Sequence, residues 1–306
     1  MKKKIETIGG QAVLEGVMMK NRDKLAVAVR DENGTIQLTV KNLKPTKNKF
    51  FKLPLVRGFV SFCQMLYEGM GLIDLSAKMA FNEEQEEGGL MAILGILLGF
   101  VLAIGLFIFL PTFLVSFFFK SIQSNLLRNL LEGLFRLCIF IAYLMSMSAI
   151  KDMKRFFMYH GAEHKTITCS EKGLDITVSN AKPCSRLHPR CGTTFMFLLM
   201  IISILVFSLI VWTDNILLRT MLRVMLLPVV SGISYEVLRW TADKDNFFVN
   251  LLKFPGFILQ KLTTKEPDSE MLEVAIVSFL AVKYTKEELD AWRLSENGID
   301  FNYYKD

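Results

Sequence analysis

Apolar residues along this chain fall into blocks too long for the helices of an ordinary soluble core. Residues 89–119 run 31 positions without a charge, and 192–213 run another 22. About 20 apolar residues at helical rise cross a bilayer, so both blocks qualify. Pro111 either kinks the first helix or marks where it leaves the membrane. Two further blocks are interrupted by charge. Residues 126–150 carry Arg128, Glu132 and Arg136 before turning apolar at Leu137. Glu132 and Arg136 are one helical turn apart and can pair, which makes them tolerable at an interface or inside a bundle. Residues 220–240 hold Arg223 near one end and Glu236 near the other. The pattern predicts four membrane-spanning helices.

Between and beyond these blocks the pattern changes. KLAVAV (24–29) and TIQLTV (35–40) have strand composition, and Asn33-Gly34 between them is a hairpin signal. GGQAVLEGVMM (9–19) reads as a loop plus a short strand, and its glycines have neither Rossmann nor P-loop spacing. Residues 55–81 are amphipathic and too charged to span, so they lie on the membrane surface or pack on the bundle. Five lysines at 41–52 form a solvated or lipid-facing basic stretch, and 82–89 an acidic linker. Residues 245–264 read as a second interfacial helix broken at Pro255-Gly256. A tail helix starts at Pro267-Asp268-Ser269, and Thr285 with Glu288 makes a capping box.

The expected architecture is mainly α, a polytopic helical membrane protein with a small α+β N-terminal unit and interfacial amphipathic helices. Its segments are 1–54 (hairpin unit), 55–88 (interfacial helix and linker), 89–150 (spans 1 and 2), 151–191 (central loop), 192–240 (spans 3 and 4) and 241–306 (interfacial helix and helical tail).

Charge sets the expected orientation. Lys and Arg number 14 before the first span, eight in 151–191 and eight after Thr241. The other two linkers carry only Lys120 with Arg128 and Arg219 with Arg223. The positive-inside rule then places both termini and the central loop in the cytoplasm, in a multi-pass inner-membrane protein. MKKKIETIGG has a basic start but no apolar core behind it, so no signal peptide is expected. The net charge of +6 suits an anionic inner leaflet, and no nucleic-acid motif accompanies it. Five scattered cysteines do not suggest a disulfide framework.

The chemistry concentrates in YHGAEHKTITC. All three histidines of the chain lie between positions 160 and 188. On a helix, His160 and His164 share one face a turn apart, with Glu163 beside them. H-x-x-E-H is the inverted zincin pattern, in which two His bind a metal and the Glu activates water. His188, Cys191 and Glu236 are candidates for the remaining ligands. Zinc is the expected ion, and iron or manganese would also accept His and carboxylate ligands. The blander readings are an ordinary helix face for His160 and His164, an ion pair with Arg239 for Glu236, and an inert small residue for Cys191. Cys169, Cys184, His188 and Cys191 could instead form a closed structural zinc site.

Six ordered motifs, GGQAVLEGVMM, PLVRG, YHGAEHKT, SRLHPRCGT, GISYE and LTTKEPDSEMLEVAI, resemble those of the YqhQ family of bacterial membrane proteins. The resemblance covers nearly the whole chain and implies a metal-dependent enzyme. His160, Glu163, His164, His188, Arg190, Cys191 and Glu236 match family motif positions, whereas Cys169 and Cys184 do not. Ser269 stands where the family often has a second acidic residue, which speaks against acidic chemistry there. The expected function is a zinc-dependent hydrolase of a membrane peptide or lipid at the cytoplasmic surface. A membrane scaffold that binds or assembles a partner protein is the alternative, and a transporter the third.

Overall fold

The computed structural model describes residues 8–22, 24–43, 51, 53–81, 90–209, 213–242, 244 and 246–304. Most of the lysine-rich stretch (44–50 and 52) and the acidic linker at 82–89 lie outside them. The strands are β1 (Gly9–Val13), β2 (Gly16–Lys20), β3 (Lys24–Arg30), β4 (Ile36–Asn42) and β5 (Asn302–Tyr303). The helices are α1 (Val56–Phe81), α2 (Leu90–Ile104), α3 (Leu110–Phe118), α4 (Asn125–Ala149), α5 (Lys151–Glu171), α6 (Val178–Ala181), α7 (Gly192–Ser208), α8 (Ile216–Ala242), α9 (Phe247–Thr263), α10 (Ser269–Lys283) and α11 (Lys286–Arg293).

Strands β1 to β4 form an antiparallel meander, and β5 adds to β4 in parallel. The hairpin expected at 24–29 and 35–40 is present, with Val27 opposite Thr39. Its link is longer than a two-residue turn. The Asp31 carboxylate accepts the amides of Asn33 (3.0 Å) and Thr35 (2.8 Å), and Gly34 takes φ +82°. The segment 9–19, expected as loop plus strand, is instead a second hairpin in which Val13 pairs with Gly16. A Cβ on Gly16 would sit 2.9 Å from the Val29 Cα, so only glycine fits there.

Both faces of the sheet are covered, which is why β3 is buried from Leu25 through Val29. Leu25, Val27 and Val29 pack with Leu72, Met79 and Ala80 of α1. Ala26 and Ala28, on the opposite face by strand alternation, pack with α10. The tail helix begins where expected, with Asp268 accepting the Met271 amide at 2.8 Å. It is buried along most of its length, because the sheet lies on one side and α5 on the other. The N-terminal sheet and C-terminal helix therefore share one core. The capping box at Thr285 and Glu288 is formed in both directions.

Among the described residues, three helices are long and apolar enough to cross a membrane: Leu94–Phe118, Asn125–Ala149 and Ile216–Thr241. The fourth expected span, at 192–213, is a shorter apolar helix that ends at Ser208. Neighbouring helices cover Phe195, Leu198, Met200, Ile202 and Phe207, while Met196 and Leu205 stay exposed. Pro111 does not break the first span. Proline has no amide hydrogen for the Phe107 carbonyl four residues earlier. A π-helical segment, Gly105–Phe109, lies there, and Arg136 Nε donates to the Phe107 carbonyl at 2.8 Å. Arg136 also pairs with Glu132 at 3.0 Å, as their spacing predicts.

Helix α1 packs on α8 through Gly58, where a Cβ would lie 2.9 Å from the Gly232 Cα. Its Met65, Leu66, Tyr67 and Met70 remain exposed. Helix α9, expected to break at Pro255-Gly256, runs unbroken from Phe247 to Thr263. Gly256 is a contact point instead, since a Cβ there would meet Thr194 at 2.9 Å. Exposed Phe247, Phe248, Leu251 and Phe254 give α9 an uncovered apolar face.

Candidate metal centre

Helix α5 carries His160, Glu163 and His164 in the middle of its 21 residues, so their relative positions are set by helical geometry alone. Two backbone carbonyls orient the rings. His160 Nδ1 donates to the Thr263 carbonyl at 2.8 Å, and His164 Nδ1 to the Arg186 carbonyl at 2.6 Å. A carbonyl can only accept, so Nδ1 holds the proton in each neutral ring and Nε2 keeps its lone pair. Burial, the largest influence, holds the His164 pKa below the ordinary histidine value despite its contact with the Cys191 thiol.

Cys191 faces these lone pairs. It caps α7, and its Sγ lies 3.3 Å from His160 Nε2. Donor atoms of His160, His164 and Cys191 all fall within 4.8 Å of one another, the one such group among the described residues. Zinc bonds of roughly 2.0–2.3 Å would separate tetrahedral donors by about 3.3–3.8 Å, so this set fits a metal ion with small adjustments. Histidines anchored through Nδ1 to carbonyls are the usual outer support of such a site.

Glu163 stands beside the group, its Oε2 3.9 Å from His160 Nε2. Burial raises its pKa above the usual carboxylate range, while His160, His188 and the Gly10 amide pull the other way. Strand β1 supplies that amide. A Cβ at Gly10 would lie 3.1 Å from the Glu163 Cγ, so the glycine lets the sheet close over the carboxylate.

His188 lines the same cavity, its ring 5.7 Å from that of His164, but its Nε2 turns to Glu171, and Glu236 is held elsewhere. His188 Nε2 contacts Glu171 Oε2 at 3.1 Å, and Arg190 joins the same carboxylate. Burial alone would raise the Glu171 pKa, but its hydrogen bond to His188 and the charges of His188 and Arg190 leave it lowered. Gln260 locks the His188 backbone from both sides at 2.9 Å. Glu236 pairs with Arg57, whose Nε donates at 2.6 Å, and not with Arg239 or the histidine group. Cys169 and Cys184 do not join His188 and Cys191. Their thiols donate to the Asp175 and Asn180 carbonyls, inside the core.

Each sequence motif has a place in this assembly. The loop at 182–191 is pinned to α5 by Lys165, which donates to the Lys182 carbonyl at 2.7 Å and the Cys184 carbonyl at 2.9 Å. The stretch after α9 crosses α5 at Gly161, where a Cβ would strike the Lys265 backbone and approach the Pro267 ring at 3.4 Å. Glu15 in the first hairpin reaches Arg155 at 2.5 Å and Tyr159 at 3.3 Å. Sequence reasoning missed Gly10, Glu171, Thr263 and Arg57. Glu171 alone had a local signal, because it lies seven residues after His164 on the same helix face.

The group opens into a cavity of about 780 Å³ between the sheet, α1 and the start of α7. Phe62, Met65, Phe156 and Phe195 make much of its wall apolar, with Lys20, Arg22 and Arg190 also lining it.

A family model described as "Protein of unknown function (DUF1385)" matches residues 53–285. A relative described as "Uncharacterized protein YqhQ", from Bacillus subtilis (strain 168), is 37% identical over 289 residues, which covers 89% of this chain and 90% of the relative. No solved structure matches the chain.

Proposed function

This chain belongs to the DUF1385 family of proteins of unknown function, and on that footing we propose that it is a multi-pass membrane hydrolase dependent on a zinc ion. One observation carries the reading: two imidazole lone pairs and a thiol converge beside a buried carboxylate, in a cavity with a largely apolar wall. His160 and His164 through Nε2, and Cys191 through Sγ, would hold the ion. Three protein ligands leave a tetrahedral ion one position for water, the arrangement of catalytic zinc. A thiol in the set favours zinc over manganese, which prefers oxygen ligands. Bound zinc would supply Lewis acidity and bring a water's pKa toward about 7. Glu163 is the general base. Its Oε2 takes the water proton and returns it to the leaving group.

The membrane topology has four crossings, with α7 as the short one, and both termini in the cytoplasm. The basic residues before α2, between α4 and α7, and after α8 support this orientation. Helices α1 and α9 then lie at the inner surface, with Leu66, Tyr67, Phe247 and Phe248 against lipid. Arg22 on the cavity wall suits an acidic group on the substrate, a membrane peptide or lipid, whereas Lys20 and Arg190 are paired with Glu68 and Glu171.

The test is metal content by mass spectrometry of protein purified without chelators, wild type beside His164→Ala. About one zinc per chain, lost in the variant, is the expected result. No bound metal in either protein overturns the hydrolase and leaves the histidines as a polar network in a scaffold.

A further inference from the structure

Strand β1 is the outermost strand on one side of the sheet, and it borders the cavity of the metal centre. Five consecutive residues, Ile8, Gly9, Gly10, Gln11 and Ala12, line that cavity. Side chains of a strand alternate between its two faces, so a cavity lined by every residue in turn lies against the strand's edge. The edge is where backbone groups without a ladder partner point.

The register identifies those groups. Strands β1 and β2 are antiparallel, with Gln11 opposite Met18 and Ala12 opposite Val17. In such a pair, successive residues turn their amide and carbonyl alternately toward the partner strand and away from it. The Gly10 amide acts on the Glu163 carboxylate, outside the sheet, so Gly10 and Ala12 face away from β2. Among the described residues, the Gly10 carbonyl and the Ala12 amide and carbonyl have no partner outside the sheet. Ala12 is only 6% exposed, and a buried amide without a partner is costly. At the next outward position the Leu14 amide donates to Ser76 Oγ at 3.1 Å, so α1 closes the edge there. The open stretch therefore runs from Ala12 to Gly10 and ends at Glu163.

We propose that the substrate is a peptide, held extended on this open edge as an added strand. Its carbonyl would accept the Ala12 amide, and its amides would donate to the Ala12 and Gly10 carbonyls. A lipid acyl chain could also meet Phe62 and Met65, but it leaves those three groups unpaired. A strand added there lies about 4.8 Å from β1 and passes the carboxylate that Gly10 packs against. Cutting of the bound peptide rests on the hydrolase reading. The water oxygen bonds to the carbonyl carbon, the C–N bond breaks, and the amine leaves with the proton that Glu163 returns. Binding on the edge does not depend on that step.

The experiment follows hydrogen exchange of residues 8–14 by mass spectrometry, in the full chain in neutral detergent. Glu163→Gln is used so that bound peptide is not consumed. The probes are a library of acetylated hexapeptide amides with randomised side chains, the same library N-methylated at every peptide bond, and mixed phosphatidylethanolamine and phosphatidylglycerol. N-methylation keeps the side chains and removes the amide donors that an added strand needs. Exchange slowed about tenfold by the plain library, at a ligand excess of about ten over Kd, and unchanged by the other two probes, supports the added strand. Slowing by lipid, or by both libraries alike, overturns it, and so does no slowing by any probe. Zinc content of the wild-type protein is measured beside it. Its absence sinks the hydrolase reading, whereas the exchange result judges the strand edge by itself.

Discussion

Gly10 lies directly against the Glu163 side chain, its backbone amide drawing the carboxylate pKa down, so a strand near the N-terminus closes the wall of the metal centre. A side chain at Gly10 would meet the Met19 sulfur at 2.9 Å and the Glu163 Cγ at 3.1 Å. Gly10→Ala should therefore lower stability by about 1–3 kcal/mol, the usual range for overpacking. Denaturant unfolding in detergent measures the loss. Metal content should stay at the wild-type level, since no ligand moves with the strand.

Glu163→Gln keeps the side-chain volume and removes the base. Turnover of any substrate found should fall by roughly 10²–10⁴, the range for a positioned proton acceptor. Zinc should remain bound. Unchanged turnover would remove Glu163 from the mechanism.

The ligand set separates by variant. His160→Ala and Cys191→Ser should lose the metal, whereas His188→Gln and Glu236→Gln should keep it, because their side chains contact Glu171 and Arg57. Metal analysis of the four proteins decides the set. Loss in His188→Gln alone among the second pair would make His188 a ligand after rearrangement.

Glu171 should make stability depend on pH on the acid side. Its pKa is lower in the folded protein than the ordinary value of 4.5, so the unfolded chain binds its proton more readily. The stabilisation is present above about pH 4.5 and is lost as pH falls through the folded-state pKa. Thermal midpoints from pH 7 down to pH 3 should drop less for Glu171→Gln than for wild type. Parallel curves would show that the His188 and Arg190 contacts carry no linkage.

Glu132 neutralises charge for Arg136 and Arg223 together. Glu132→Gln should cost about 3–5 kcal/mol, the range for leaving buried charge uncompensated. Unfolding in mild detergent reports it. Glu236→Gln, at a half-exposed pair, should cost much less.

Much of the fold was legible because it is written locally. The cap at Asp268, the capping box at Thr285, the strand alternation of 24–29 and the pairing of Glu132 with Arg136 all depend on residues within a few positions. Pro255-Gly256 misled for the complementary reason. Both residues weaken a helix locally, yet Gly256 packs on Thr194, and that tertiary contact outweighs propensity. The 192–213 block forms an apolar helix as its composition predicts, but the packing of its Phe195, Leu198 and Ile202 against neighbouring helices left no mark in the sequence.

The candidate site divides along the same line. The sequence by itself determined that His160, Glu163 and His164 share one side of a helix, because 3.6 residues per turn leaves no other arrangement. It also determined which blocks are apolar enough to cross a membrane. Only the tertiary structure decided that Cys191 joins the two imidazoles while the His188 Nε2 turns to Glu171, and that Glu236 belongs to Arg57, 179 positions away. It alone turned the tail helix into the centre of the core and set Gly10 against Glu163. Such pairings arise when packed elements bring side chains from distant segments together. No local period or spacing in a single sequence records them.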